Sequence, residues 1–422
     1  MRKIAPTGGQ VLEKDRFGIN EEIKAMCKYA FNDMCQSRPE WSGAEYAFLN
    51  DFDMLAFHRS LPGYEPTPLR ELPALAAHLG LGAVLVKDEA PRFGIKAFKA
   101  LGASYAMYRF LKKKWHSRFQ APFTPESFQD AAALAELGSF TFCAATDGNH
   151  GRAVAWTAKN IGQKAVIYMP ADSVPARVES IRSEGAEVVL VGGTFDNCVK
   201  RCAADAAAND WQAISDTAYL GYREIPGWIL LGYTSIFAEL EGFVHQQQSA
   251  GLDAVILPAG VGGLAAAGAF YYSRNYGAER PVLICIEPVS ADCFLESVRF
   301  GKGKPLPTKG RQTSIMAGLN CGVPSPLAWP IVRDAVPFFL SVGDRYAEQA
   351  MRHYYRPLGD DPQIISGESG SSGLAALLAL TTNKKLAKVR AKLPLGPQAR
   401  VLLINTEGDT DPENFRKIIA GQ

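Results

Sequence analysis

Short, continuous apolar runs recur along the chain, and most are followed by a glycine-containing turn and then a helical pattern. The runs are AVLVKDE (83–89), FTFCAAT (140–146), KAVIYMP (164–170), EVVLVG (187–192), AVILPAG (254–260), PVLICIEP (281–288) and RVLLINT (400–406). A strand that is apolar on every residue has both faces covered, and a helix after each strand is the crossover that a parallel sheet requires. The pattern therefore predicts an α/β fold, with helices over 100–111, 151–160, 175–185, 195–209, 264–275 and 373–380. The stretch SGESGSSG (366–373) reads as a turn into the last of these rather than as a linker. The first 60 residues read as charged and helix-like, without chemistry.

Charge and cysteine usage exclude whole classes. The 45 Lys and Arg nearly balance 43 Asp and Glu, so no basic stripe exists for nucleic acid. Eight cysteines without a CxxC pair, and six scattered histidines without HExxH, support neither a disulfide scaffold nor a metal enzyme. The opening residues carry charges where a secretory signal needs an apolar stretch, so a cytoplasmic protein is expected. One segment, 254–272, is apolar over nearly the length of a membrane span. Pro258 and the glycines at 260, 262 and 263 instead suit a strand, a tight turn and a small-residue helix.

Four segments could carry chemistry. In KDEAPRFGIKAFKALGASYAMYRF (87–110), Lys99 stands near a helix start, where the positive end of the helix dipole disfavours its charge and favours a nucleophilic amine; an exposed surface lysine is the ordinary alternative. In CAATDGNHGRAVAWTAKNIG (143–162), Asp147 could accept a proton and Asn149 orient a ligand, but such a turn is also an ordinary helix cap, and His150 an ordinary packed histidine. In PAGVGGLAAA (258–267), backbone amides can cradle a phosphate ahead of a helix. The same letters satisfy the G-x-G-x-x-A dinucleotide fingerprint, with Glu287 ending the next strand where a ribose-binding acid belongs; an NAD-dependent oxidoreductase thus competes. In VLLINTEGDTDPENF (401–415), a buried strand delivers Thr406 and several acids to its end, as either a ligand site or a turn opening the last helix.

Taken in order, VKDEAPRFGIKAFKALGASYA, TDGNHGRAVAW, AVIYMP, SDTAY, IMAGLNCG, IISGESG and NTEGDTD resemble the fold-type II pyridoxal-phosphate enzymes, the group of threonine dehydratase and the tryptophan synthase β subunit. Within it the chain is most similar to the diaminopropionate ammonia-lyases. The resemblance implies two open, twisted, mostly parallel sheets with flanking helices: a large cofactor-binding domain from 1–120 and 218–422, and a small domain, 121–217. It implies that Lys99 binds pyridoxal 5'-phosphate through an imine, that Gly260, Val261, Gly262, Gly263 and Leu264 hold the phosphate, and that Asn149 faces the phenolic oxygen. It places Thr406 at the pyridine nitrogen and Glu368 of IISGESG among the cofactor contacts. Asp147 replaces the serine usual in serine and threonine dehydratases, and is implied to take the Cα proton of a D substrate, with Lys99 serving the L isomer. Asp216 of SDTAY is implied to meet the β-ammonium of 2,3-diaminopropionate, which would be eliminated to pyruvate and two ammonia; a serine or threonine dehydratase is the nearest alternative. A homodimer is implied as well. The resemblance departs at Tyr219, where the family carries Trp, and at Gly263, where alanine can stand. Cys293 and Cys321 lie in family-like segments near the site; a disulfide between them is the alternative to free thiols, which are expected of a cytoplasmic chain.

Overall fold

The computed structural model describes residues 26–50, 52–146, 148–193, 195–241 and 251–421. Its strands are β1 (Cys27–Phe31), β2 (Leu69–Glu71), β3 (Ala83–Asp88), β4 (Thr141–Ala145), β5 (Lys164–Pro170), β6 (Glu187–Val191), β7 (Gln212–Ala213), β8 (Ala254–Pro258), β9 (Val282–Pro288), β10 (Phe338–Val342) and β11 (Arg400–Asn405). They form two sheets, a seven-stranded one in the order β1-β10-β9-β8-β11-β3-β2 and a four-stranded one in the order β6-β5-β4-β7. The small sheet is parallel throughout; the large one is parallel except for its two edges, where β1 and β2 run antiparallel. This is the two-sheet α/β architecture that the resemblance implies.

Continuous apolar runs become central strands. All five residues of β8 are buried, as are all but the first of β3, β9 and β11, and helices cover both faces. The run at 187–192 departs from this reading: among the described residues β6 pairs only with β5, and none of its residues is fully buried, because an edge strand lacks a second neighbour. The expectation for the first 60 residues also fails in part. Cys27–Phe31 is a strand paired with β10, and a helix covers only Met54–Ser60 after a 3-10 turn at Ala44–Asn50. Residues 1–25 lie outside the described residues.

The topology decides where a ligand can sit. Strands β8, β11 and β3 are adjacent and parallel, so their C-terminal ends open on one side of the sheet, the side where ligands bind in open α/β sheets. From those ends emerge the glycine loop after Pro258, Thr406 after Asn405, and the turn leading to Lys99. Strands β4 and β7, parallel neighbours in the small sheet, deliver Asn149 and Asp216 from their own C-terminal ends. The apolar segment 254–272 resolves into β8, a turn and the start of the helix Gly263–Tyr276. No helix among the described residues is long and apolar enough to cross a membrane.

Two helices near the site touch backbone to backbone. Glu224–Tyr233, almost wholly buried, crosses the helix Lys99–Phe119 at Gly232 and Gly102. A Cβ on Gly232 would come within 2.4 Å of the Leu101 carbonyl oxygen, and one on Gly102 within 2.5 Å of the Tyr233 ring. Gly102 therefore lies inside the helix as a packing residue, not in the turn before it.

Candidate active site

Lys99 is the first residue of its helix, which begins one residue earlier than the apolar pattern indicated and runs on to Phe119. The chain reaches it through a closed loop end: the Phe98 amide donates to the Thr406 carbonyl at 3.2 Å, and Ala97 pairs with Glu407. The Lys99 ammonium donates to Asp216 Oδ2 at 2.7 Å, with 20% and 23% of the two side chains exposed. The dipole argument anticipated an amine shifted toward neutrality, and the structure reverses it. Burial does pull the lysine down, but the Asp216 carboxylate more than offsets it and holds the ammonium well above its ordinary range. Burial likewise pushes Asp216 up, and the facing ammonium overrides that and holds its carboxyl below the usual range. At contact distance a full opposite charge outweighs the half charge of a helix end.

The glycine loop is formed as a phosphate cradle requires. Gly262 has φ +98° and its Cβ would meet the Phe294 ring at 2.3 Å, so glycine is needed for both reasons. Among the described residues, no backbone carbonyl accepts from the amides of Val261, Gly262, Gly263 or Leu264, and the helix Gly263–Tyr276 begins there. Free amides at a helix N-terminus form an anion site. The dinucleotide alternative fails at Glu287. Its fully buried carboxylate accepts from the Phe294 and Leu295 amides, each at 2.8 Å, and so caps the helix Cys293–Phe300 where a ribose would need it free. Burial pushes that carboxyl up to about 8.

Across the cleft, Thr146 Oγ1 accepts from the Gly148 and Gly151 amides at 3.0 and 3.2 Å, capping the helix Asn149–Asn160. His150 is a packed residue, buried with its Nε2 donating to the Ile214 carbonyl at 2.7 Å. Asn149 Nδ2 donates to Glu407, whose other carboxylate oxygen accepts from the Ser369 amide at 3.1 Å. One amide hydrogen of Asn149 is thereby fixed by the large sheet, leaving the second for a ligand. Glu368 is 2% exposed and accepts from Asn414 Nδ2. Burial, with Glu407 beside it, raises its carboxyl to about 7. Thr406 is buried, and Asp411 caps the following helix, accepting from the Asn414 amide at 3.2 Å, so the turn that opens the last helix is present. The turn at 366–373 leads into the helix Ser372–Thr382. Asp147 lies outside the described residues.

Lys99, Asp216 and the glycine loop thus converge, with Asn149 facing them from the small sheet. Sequence reading missed two contributors. Glu407 was one anonymous acid in a cluster; its role needed the fold, since its partner is 258 residues away. Tyr233 carried a signal: one phenol ending the apolar helix EIPGWILLGY, directly after Gly232. It packs edge-on against Phe98 with ring centres 4.7 Å apart, and Lys99 Nζ lies 5.7 Å from its ring centre. A buried amine beside unpaired loop amides suits a phosphorylated aldehyde cofactor: Lys99 would hold its carbonyl carbon and the Val261–Leu264 amides its phosphate. Cys293 is a buried thiol, and the Cys321 sulfur lies close to where a Cβ on Gly260 would lie. Among the described residues no cluster of His, Cys, Asp and Glu could hold a metal ion.

Comparison with known proteins places this geometry. Residues 61–407 match the family model described as pyridoxal-phosphate dependent enzyme. The diaminopropionate ammonia-lyase of Salmonella typhimurium is 38% identical over 403 residues, 93% of this chain and 98% of that protein. The Escherichia coli diaminopropionate ammonia-lyase is 40% identical over 366 residues, 86% of this chain and 89% of the relative. The crystal structure of the E. coli enzyme in complex with D-serine superposes with a TM-score of 0.84 at 36% identity, covering 95% of this chain and 98% of the other. A threonine deaminase structure shares the fold at a TM-score of 0.64 and 23% identity, covering 85% and 97% of the two chains.

Proposed function

Because the chain belongs to the diaminopropionate ammonia-lyase family of pyridoxal-phosphate dependent enzymes, we propose that it eliminates ammonia from D- and L-2,3-diaminopropionate. Pyruvate and two molecules of ammonia are the products. When bound, pyridoxal phosphate supplies the electron sink that makes the Cα proton removable. Lys99 Nζ would hold the cofactor when no substrate is bound. The freed Nζ then takes the Cα proton of the L isomer, and the Asp147 carboxylate takes that of the D isomer. The Cβ–N bond breaks with its electron pair leaving on nitrogen, so the protonated β-amine departs as ammonia. The unsaturated amino acid left behind hydrolyses to pyruvate and the second ammonia.

One observation carries the substrate choice. Asp216 lies 2.7 Å from a primary alkylammonium, that of Lys99, and the β-ammonium of diaminopropionate is the same chemical group. Once Lys99 is bound to cofactor, the substrate's β-nitrogen restores the pair; serine, with a hydroxyl there, leaves the carboxylate unmatched. Asn149, Thr406 and Glu368 complete the cofactor contacts, and the cofactor lies between the small domain, 121–217, and the rest of the chain. The active form is a cytoplasmic homodimer, which light scattering on the purified protein tests for size. The deciding experiment compares D- and L-diaminopropionate with D- and L-serine in one pyruvate-release assay. Faster turnover of both diaminopropionate isomers is expected, and a preference for serine would replace this reading by a serine dehydratase.

A further inference from the structure

The Tyr233 hydroxyl is buried and has no hydrogen-bond partner among the described residues. The side chain is 1% exposed, so water does not satisfy it, and a buried hydroxyl left without a partner is destabilising. Such a group in a native fold calls for an explanation. The ring cannot relieve it by turning away. Gly102 leaves room for it on one side, where a Cβ would come within 2.8 Å of Cζ, and Gly263 on another, where a Cβ would stand 3.4 Å from Cε2; Phe98 closes a third. Lys99 is near enough to offset part of the upward shift that burial imposes on the phenol, but an ammonium can only donate toward the hydroxyl oxygen and leaves the phenol's own proton without an acceptor. The hydroxyl is therefore held as a proton donor between Lys99 and the first residue of the glycine-loop helix.

We infer that Tyr233 is a cofactor-binding residue whose hydroxyl donates a hydrogen bond to the phosphate of pyridoxal phosphate. The inference rests on the cofactor reading above and adds to it a residue outside the glycine loop. Position selects the phosphate over the other cofactor oxygens. Tyr233 packs on Gly263, where the free amides collect an anion, whereas Asn149, expected at the phenolic oxygen, is anchored across the cleft by Glu407. A phosphate oxygen also makes the stronger bond, since the acceptor is charged.

The test uses Tyr233→Phe, which keeps the ring between its glycines. Wild type and variant, stripped of cofactor, are titrated with pyridoxal phosphate and with pyridoxal, which lacks the phosphate, following imine absorbance and tryptophan quenching. The variant should bind pyridoxal phosphate about tenfold more weakly, equivalent to about 1.4 kcal/mol, and pyridoxal within about twofold of wild type. Without cofactor it should melt no lower than wild type, because only an unpaired hydroxyl is lost; with cofactor it should melt lower. Unchanged affinity for pyridoxal phosphate, equal weakening toward both ligands, or a lower melting point without cofactor would each overturn the inference. Failure of the wild type to bind pyridoxal phosphate would instead remove the cofactor reading itself.

Discussion

Replacing Asp216 by Asn should turn Lys99 from a locked ammonium into a reactive amine. Unit charges 2.7 Å apart attract by about 6 kcal/mol at an effective dielectric constant of about 20. About a fifth of each side chain is exposed, so solvent screening reduces the usable part to roughly half, about 3 kcal/mol, or about two pKa units. With the carboxylate gone, burial and the helix N-terminus both act to lower the amine. The assay is the rate of trinitrophenylation at Lys99 in cofactor-free protein across the alkaline range, read by peptide mass spectrometry with surface lysines as internal standards. The midpoint should fall by about two units in the variant, making Lys99 roughly 100-fold more reactive at about pH 9. An unchanged or higher midpoint would refute the assignment of the Lys99 charge to this pair. Turnover of diaminopropionate should fall in the same variant, so amine reactivity and catalysis move in opposite directions.

Gly102→Ala should lower stability by about 1–3 kcal/mol in urea unfolding and weaken cofactor binding, because the new methyl displaces the Tyr233 ring. Asp147→Asn should depress D-diaminopropionate turnover about 100-fold more than that of the L isomer; equal losses in the pyruvate assay would deny it a face-specific role. Glu368 gives a pH signature. Its carboxyl, raised from an ordinary 4.5 to about 7, keeps its proton in the folded chain over a window where the unfolded chain has lost it. Its contribution is complete below about pH 4.5 and is lost as pH rises to about 7, at most about 3 kcal/mol. Melting temperature should therefore fall less steeply over that window in Glu368→Gln than in wild type, with a residual slope left by Glu287.

What the sequence could show follows from what each element depends on. The central strands were legible because burial on both faces forces an unbroken apolar run. β2 and β7, three and two residues long, exist only through their neighbours and leave no pattern. β10, FFLSV, is wholly buried and sits between Pro337 and Gly343, so its signal was present and passed over. In the site, Lys99 and the glycine loop were readable as local motifs, since a strand, a turn and a helix lie together in sequence. The Lys99–Asp216 pair joins residues 117 apart and the Asn149–Glu407 contact residues 258 apart. Neither distance is encoded by spacing, and the pair reversed the charge that the local motif alone suggested. Tyr233 is intermediate: Gly232 announced a close helix crossing, but not that a hydroxyl would be stranded there.

The antiparallel strand β1 bears on where the protein can be cut. The family match runs over residues 61–407, and every proposed catalytic or cofactor residue falls inside it. The sheet does not stop there. β1 supplies the outermost rung beside β10, and the helix Pro412–Ala420 lays Phe415, Ile418 and Ile419 into an apolar cluster with Met351. A chain shortened to 61–407 would keep every proposed site residue while baring the flank of a wholly buried strand, the kind of edge through which sheets from separate molecules join. The smallest piece that can react is thus shorter than the smallest piece that can stay in solution.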